Sequence, residues 1–248
     1  MPDHARSDRR RPTRALGCAA AGAAGAAYLP AVVALGQWLP VTSAAGLCRW
    51  RGSAARPEIG ITFDDGPHPE ATPAVLDRLD QLGIRATFFP LASMAERHPE
   101  LVAEVVRRGH VVGTHGYRHG HHLLHGPGWV RRDLDAAGRV MADLGLVPRW
   151  YRPTYGQVTA ATLAVARSRG WETVLWSAWG REWATVDPAA VARRIVKRLA
   201  PGAVVLLHDS DRFGPPGMWR TALAALERVG EAMGDRSLAG VTLNELAR

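Results

Sequence analysis

The sequence predicts an α/β fold in which parallel strands and crossover helices close, or nearly close, into a barrel. Three observations carry this. From residue 58 on, short apolar strand-like runs alternate with amphipathic helix-like runs, the pattern of a parallel sheet with helices packed outside it. At 47% hydrophobic and 22% charged, the composition is that of a folded chain with enough apolar side chains for a core. Finally, Asp64, His115, Arg152 and His208 each fall at or just past the C-terminal end of a predicted strand, the rim where parallel α/β barrels gather their chemistry.

In chain order, residues 1–14 form a basic tail with five arginines and two aspartates, and residues 15–48 carry no charge. A basic start before a charge-free run reads as a signal peptide or signal anchor. Its arginines would stay inside while the rest is sent outward, with membrane attachment through this segment. The run is rich in alanine and glycine and broken by Pro30 and Pro40. The alternative is therefore an apolar helix that precedes and packs on a barrel in the cytoplasm. Residues 49–57, RWRGSAARP, read as a linker. The catalytic domain is expected over 58–248. EIGITF is a buried strand, EATPAVLDRLDQLG a helix stopped by Gly83, RATFFPL a second strand and PELVAEVVRRG a second helix. HVVGTH, RWYRP, ETVLWS, AVVLLH and LAGVTL continue the strands, with helices over 128–145, 159–170, 188–200 and 218–233 between them.

Composition also excludes some functions. Two cysteines cannot build a disulfide framework. The net charge of +8, of which +3 lies in the tail, favours anionic surroundings such as a membrane or cell-wall polymer. No aromatic-basic motif for nucleic acid is present.

The chemistry begins at ITFDDGP, where two aspartates stand side by side at a strand end. His115 and His119 are spaced i, i+4; on a helical turn both imidazoles would project to one side, and Asp65 would add a hard oxygen. Two histidines and a carboxylate form an open three-ligand face suited to catalytic Zn²⁺ or a similar divalent ion such as Co²⁺ or Ni²⁺. Asp64 is then free to act as a base, and the cation offsets the repulsion within the pair. The bland alternative is that both aspartates cap the turn. His121, His122 and His125 read as solvated loop residues. Trp129, Trp179, Trp183 and Trp219 could stack on sugar rings, or simply pack.

These segments resemble the motifs of the polysaccharide deacetylases, carbohydrate esterase family 4, also called the NodB-homology domain. TFDDGP at 62–67 matches the first motif in full. HGYRH at 115–119 matches the second, with Gly116 where the family has a hydroxyl residue. RPTYG at 152–156 matches the third, with Thr154 where the family often has a second proline, WGREW at 179–183 stands in place of the fourth with Trp179 and Glu182 for its two aspartates, and LLH at 206–208 matches the fifth. The resemblance implies a distorted (β/α) barrel and a role for each matched position. Asp64 is the general base, oriented by Arg152, and Asp65, His115 and His119 are the metal ligands. His208 is the general acid, poised by Glu182, and the backbone N–H of Tyr155 faces the oxyanion. Pro153, Gly156, Trp183 and Leu206 contact substrate, Leu206 shaping a small acetyl pocket. The implied activity is metal-dependent hydrolysis of carbon–nitrogen bonds other than peptide bonds. It would remove N-acetyl groups from a peptidoglycan- or chitin-like glycan in the cell envelope, and the chain would act as a monomer. Deformylation, O-deacetylation and cyclic amide opening are the enzymatic alternatives; a glycan-binding protein with impaired chemistry is the alternative of another class.

Overall fold

The computed structural model describes residues 46–248, together with the backbone of Pro30–Ala31 (β1), which runs antiparallel to Val158–Thr159 (β6). The basic tail and nearly all of the charge-free run, including the expected apolar helix, lie outside the described residues. No helix among the described residues is long and apolar enough to cross a membrane.

The central strand is β2, Glu58–Asp64, with all but its first residue buried. A strand covered on both faces must be apolar throughout rather than alternating, which is why EIGITF reads as a continuous run. β2 pairs in parallel with β3 (Thr87–Phe89) on one side and β9 (Val204–His208) on the other. β4 (Val111–Val112) extends the sheet beyond β3, and β8 (Ala178–Trp179) extends it beyond β9. β10 (Ala239–Val241) pairs with the first three residues of β2. β5 (Trp150–Tyr151) and β7 (Glu172–Thr173) form a separate parallel pair, tied to the end of β4 by a bridge from Thr114 to Tyr151. The barrel is thus closed by single bridges as well as ladders, which is its distortion. The stretch read as a linker takes part: Arg49 bridges Val174, and Arg51 bridges Ala203.

The helices are α1 (Ala71–Leu82), α2 (Ala92–Ala95), α3 (Pro99–Arg107), α4 (Pro127–Asp143), α5 (Ala160–Ser168), α6 (Pro188–Val196), α7 (Met218–Gly234) and α8 (Leu243–Leu246). Their ends follow the local chemistry. Gly83 closes α1 in the left-handed conformation, φ 65°. Proline opens α3, α4 and α6, and Asp187 caps α6 by accepting from Ala189 N–H at 2.8 Å.

Strand parity sorts the core. Ile59, Ile61 and Phe63 of β2, with Val205 and Leu207 of β9, join the outer cluster with Leu76, Leu79, Ile195 and Leu226 of the helices. Each such side chain contributes roughly 1.5–3 kcal/mol on full burial. Phe89, Trp150, Val204 and Leu206 form a second, inner cluster. Because successive side chains alternate faces, Thr62, Asp64, Leu206 and His208 share the inner face, and Asp64 lies in register with His208. Parity plus register therefore delivers a carboxylate and an imidazole to the same spot on the rim.

The structure departs from the sequence reading in two places here. The expected strand ETVLWS ends after Thr173, and the chain turns into the separate β8, where Ser177 N–H donates to Val204 O at 2.9 Å. His115 and His119 lie on no helical turn: residues 113–122 form a loop, with Gly116 at φ 90°. The N–H groups of Tyr117 and Arg118 donate to the Asp133 carboxylate instead of to carbonyls one turn back, so no helical turn forms.

Candidate active site

The two aspartates divide at the strand end. Asp64 is the last residue of β2 and points into the barrel. Asp65 leaves the strand at φ 75°, a conformation aspartate tolerates better than most residues, so its carboxylate turns to the mouth instead of the opposite face. The next residue must be glycine for a steric reason: a Cβ at Gly66 would lie 2.2 Å from Asp209 Oδ2. The Asp209 carboxylate is itself fixed by Thr72 Oγ1, which donates to it at 2.6 Å.

Asp64 Oδ1 accepts from Arg152 Nη1 at 2.8 Å. The buried guanidinium also donates to Thr62 Oγ1 at 2.7 Å, to Leu175 O at 3.0 Å and to Val174 O at 3.4 Å, and lies 4.2 Å from the centre of the Phe89 ring. Arg152 therefore sits in a fully built socket with a single carboxylate contact. Burial pushes the Asp64 carboxyl up, and the charge and hydrogen bond of Arg152 pull it back only in part. The direct effect of Arg152 is to favour the ionised form, while desolvation sets the net direction.

Around Asp65, His115 Nε2 and His119 Nε2 both lie 3.4 Å from Oδ1, and the candidate ligand atoms of all three residues fall within 4.8 Å of one another. His115 Nδ1–H donates to Arg152 O at 2.8 Å, which leaves Nε2 as the lone-pair nitrogen facing the centre. Burial drives His115 down to about 3 and His119 down to about 3, so these contacts are between neutral imidazoles and a carboxylate rather than ion pairs. Burial also raises Asp65 to about 7, and its Oδ1 has no hydrogen-bond partner. Two neutral imidazoles and an orphaned buried carboxylate oxygen converging on one point fit a divalent cation, which would supply the missing charge.

His208, the last residue of β9, donates from Nδ1 to Glu182 Oε1 at 2.8 Å, and its Nε2 lies 4.0 Å from Asp65 Oδ2. Burial pulls this imidazole down, but the charge and hydrogen bond of buried Glu182, with Asp65 and Asp64, outweigh it and raise His208 to about 9. Glutamate in place of the family's aspartate reaches the ring at full hydrogen-bond quality.

Asp64, Asp65, His115, His119 and His208 open into one cleft of about 430 Å³, a size typical of small-ligand sites, with Arg152 and Glu182 buried behind them. Leu206, Trp183 and Trp179 line it, with Tyr155 in a left-handed conformation at φ 55°. Pro153 precedes Tyr155 and Gly156 follows it in the same turn, but neither lines the cleft. Of the two outcomes open to the four tryptophans, lining a sugar site or packing, two of the four pack. Trp129 packs on His125 with ring centres 4.0 Å apart, and Trp219 is buried; neither lines the cleft. His122 is also no solvated loop residue but a buried one, lowered to about 4 by burial. The sequence reading missed Trp176, Met218 and Phe213, which complete the apolar wall. Phe213 stacks on His119 at 4.1 Å. No motif or periodicity marks residue 213; only its place after the LLH strand end hinted at the rim.

The profile of the polysaccharide deacetylase family matches residues 51–174. A peptidoglycan-N-acetylglucosamine deacetylase of Bacillus cereus is 32% identical over 208 residues, covering 82% of this chain and 94% of that one. A chitooligosaccharide deacetylase of a Bradyrhizobium species is 35% identical over 170 residues, covering 68% and 76%. The crystal structure of a peptidoglycan N-acetylglucosamine deacetylase in complex with 4-naphthalen-1-yl-N-oxidanyl-benzamide superimposes with a TM-score of 0.77 at 28% identity. That superposition spans 84% of this chain and 97% of that one.

Proposed function

The chain belongs to the polysaccharide deacetylase family, and from that premise we propose that it is a metal-dependent hydrolase removing N-acetyl groups from an amino-sugar glycan of peptidoglycan or chitin type. The observation that supports it is the meeting of three units in one cleft: the Asp65, His115, His119 set, the Asp64–Arg152 pair and the His208–Glu182 pair.

Asp65, His115 and His119 would hold the cation. When bound, a divalent metal supplies Lewis acidity toward the amide carbonyl and the attacking water. Asp64 takes the proton from that water; Arg152 fixes its rotamer and favours its ionised form. The backbone N–H of Tyr155 donates to the developing oxyanion. His208, held protonated by Glu182, gives its proton to the departing sugar nitrogen so that the amine leaves neutral. Leu206, Trp183 and Trp179 exclude water around the acetyl methyl. Relatives named for a cell-wall substrate support placing this domain outside the cytoplasm, beside its glycan.

Zinc-loaded protein is expected to release acetate from N-acetylated peptidoglycan strands or chitooligosaccharides, measured by coupled acetate assay and mass of the product. Failure on every N-acetylated glycan, with release from an O-acetyl, formyl or cyclic amide compound, would assign the chain to one of those activities instead.

A pH prediction follows from the Glu182–His208 bond. Glu182→Gln removes the negative charge that does most to raise His208, so the imidazole loses its proton at lower pH. A general acid works only while protonated, so the alkaline limb of kcat/KM is expected to move to lower pH in the variant. A bound cation lowers His208 in parent and variant alike, which leaves the direction of the difference unchanged. Coincident alkaline limbs in the two profiles would remove Glu182 from this role.

A further inference from the structure

His115 and His119 reach the centre by different means. His115 is aimed by a hydrogen bond from its second nitrogen to Arg152 O. His119 has no such bond: its Nδ1 is buried without a partner. Ligating histidines are ordinarily oriented through that second nitrogen, so something else must hold His119. Its ring touches Phe213 and the edge of Tyr155 at 4.3 Å. These two rings are 44% and 41% exposed and cannot fix it by themselves.

We propose that Asp133 is a positioning residue for the metal centre: from α4 its carboxylate clamps the backbone of the histidine loop and so aims His119. The inference rests on the metal reading above. Asp133 Oδ2 accepts from Tyr117 N–H at 3.0 Å and Oδ1 from Arg118 N–H at 3.1 Å, two consecutive donors on the two residues before His119. The opposite side of the loop is held too: Gly116 O accepts from Ala92 N–H at 2.8 Å and Tyr117 O from Ser93 N–H at 3.3 Å, both at the start of α2. The loop is gripped by its donors from one helix and by its acceptors from another.

Asp133 is buried on the same helix face as Val130, Leu134 and Ala137. A carboxylate there carries a desolvation cost that an apolar residue would avoid, so its two bonds to the loop are the reason for its presence. Gly116 belongs to the same device. A Cβ at residue 116 would lie 2.9 Å from Asp133 Oδ2, and the residue sits at φ 90°. The hydroxyl residue of the second motif is absent, and the loop closes down on the carboxylate instead.

The test uses the full chain with Asp133→Asn, which keeps the volume but offers one acceptor oxygen and turns an NH₂ toward the second donor. Zn²⁺ affinity is read by chelator competition and ligand geometry by the visible spectrum of bound Co²⁺. The expected result is affinity lower by about 10–100-fold and a shifted Co²⁺ spectrum, with the metal-free fold retained by circular dichroism. Parental affinity and spectrum in the folded variant overturn the positioning role alone. A parent that takes up no Zn²⁺ overturns the metal reading and this inference with it. If the variant does not fold, amide exchange in the metal-free parent decides: slow exchange at Tyr117 and Arg118 supports the clamp, and unprotected exchange at both overturns it.

Discussion

Asp64→Asn is expected to lower kcat by about 10²–10⁴-fold, the usual contribution of a positioned proton acceptor, while the protein keeps its zinc. Asp64 stands outside the Asp65, His115, His119 set, and its nearer oxygen is engaged by Arg152 at 2.8 Å. An asparagine oxygen can still accept that bond, so the rotamer is preserved and the basicity is lost. The same change has a structural consequence. Arg152 is wholly buried with Asp64 as its single ion-pair partner among the described residues, and removing one charge of a buried pair typically costs about 3–5 kcal/mol. The variant should therefore also melt at lower temperature, and the assay belongs well below its transition. Zinc content by mass spectrometry and steady-state kinetics check the prediction; turnover near the parental value would remove Asp64 from the role of base.

His119→Ala is expected to abolish zinc binding at the proposed metal centre. Among the described residues only three side chains converge there, so losing one leaves a histidine and a carboxylate, and affinity should fall by more than the roughly 10–100-fold seen when an outer partner of a ligand is lost. Dialysed variant should carry almost no zinc and release acetate at background rate, with a native circular dichroism spectrum, because His119 lies in a loop and not in either core cluster. Full zinc occupancy in the variant would show that other residues hold the ion.

Much of this site was legible before any coordinate. TFDDGP, HGYRH, RPTYG and LLH each lie at a strand end that apolar runs and glycine or proline stops locate locally, and the fold gathers Asp64, Asp65, His115, His119, Arg152 and His208 at one end of the barrel. What was illegible has a common character. The helical turn assumed for His115 and His119 is a loop because Gly116 bends it onto Asp133. Trp129 and Trp219 pack away from the cleft, whereas Trp176 and Phe213 face it. Nothing in the spacing of these residues separates one pair from the other.

The sequence by itself determined the order of most strands and helices, the parallel α/β class and which polar residues stand at the strand ends. Those depend on signals between near neighbours: side-chain period, caps, turns and short motifs. Only the tertiary structure decided which distant residues share the rim. Asp133 meets Tyr117 and Arg118, Phe213 meets His119, and Asp209 meets Gly66 across 15 to 143 residues of chain. Such contacts are set by strand register and by the curvature with which bridged strands close the barrel. Neither is written in any local window, because each results from the packing of every layer at once.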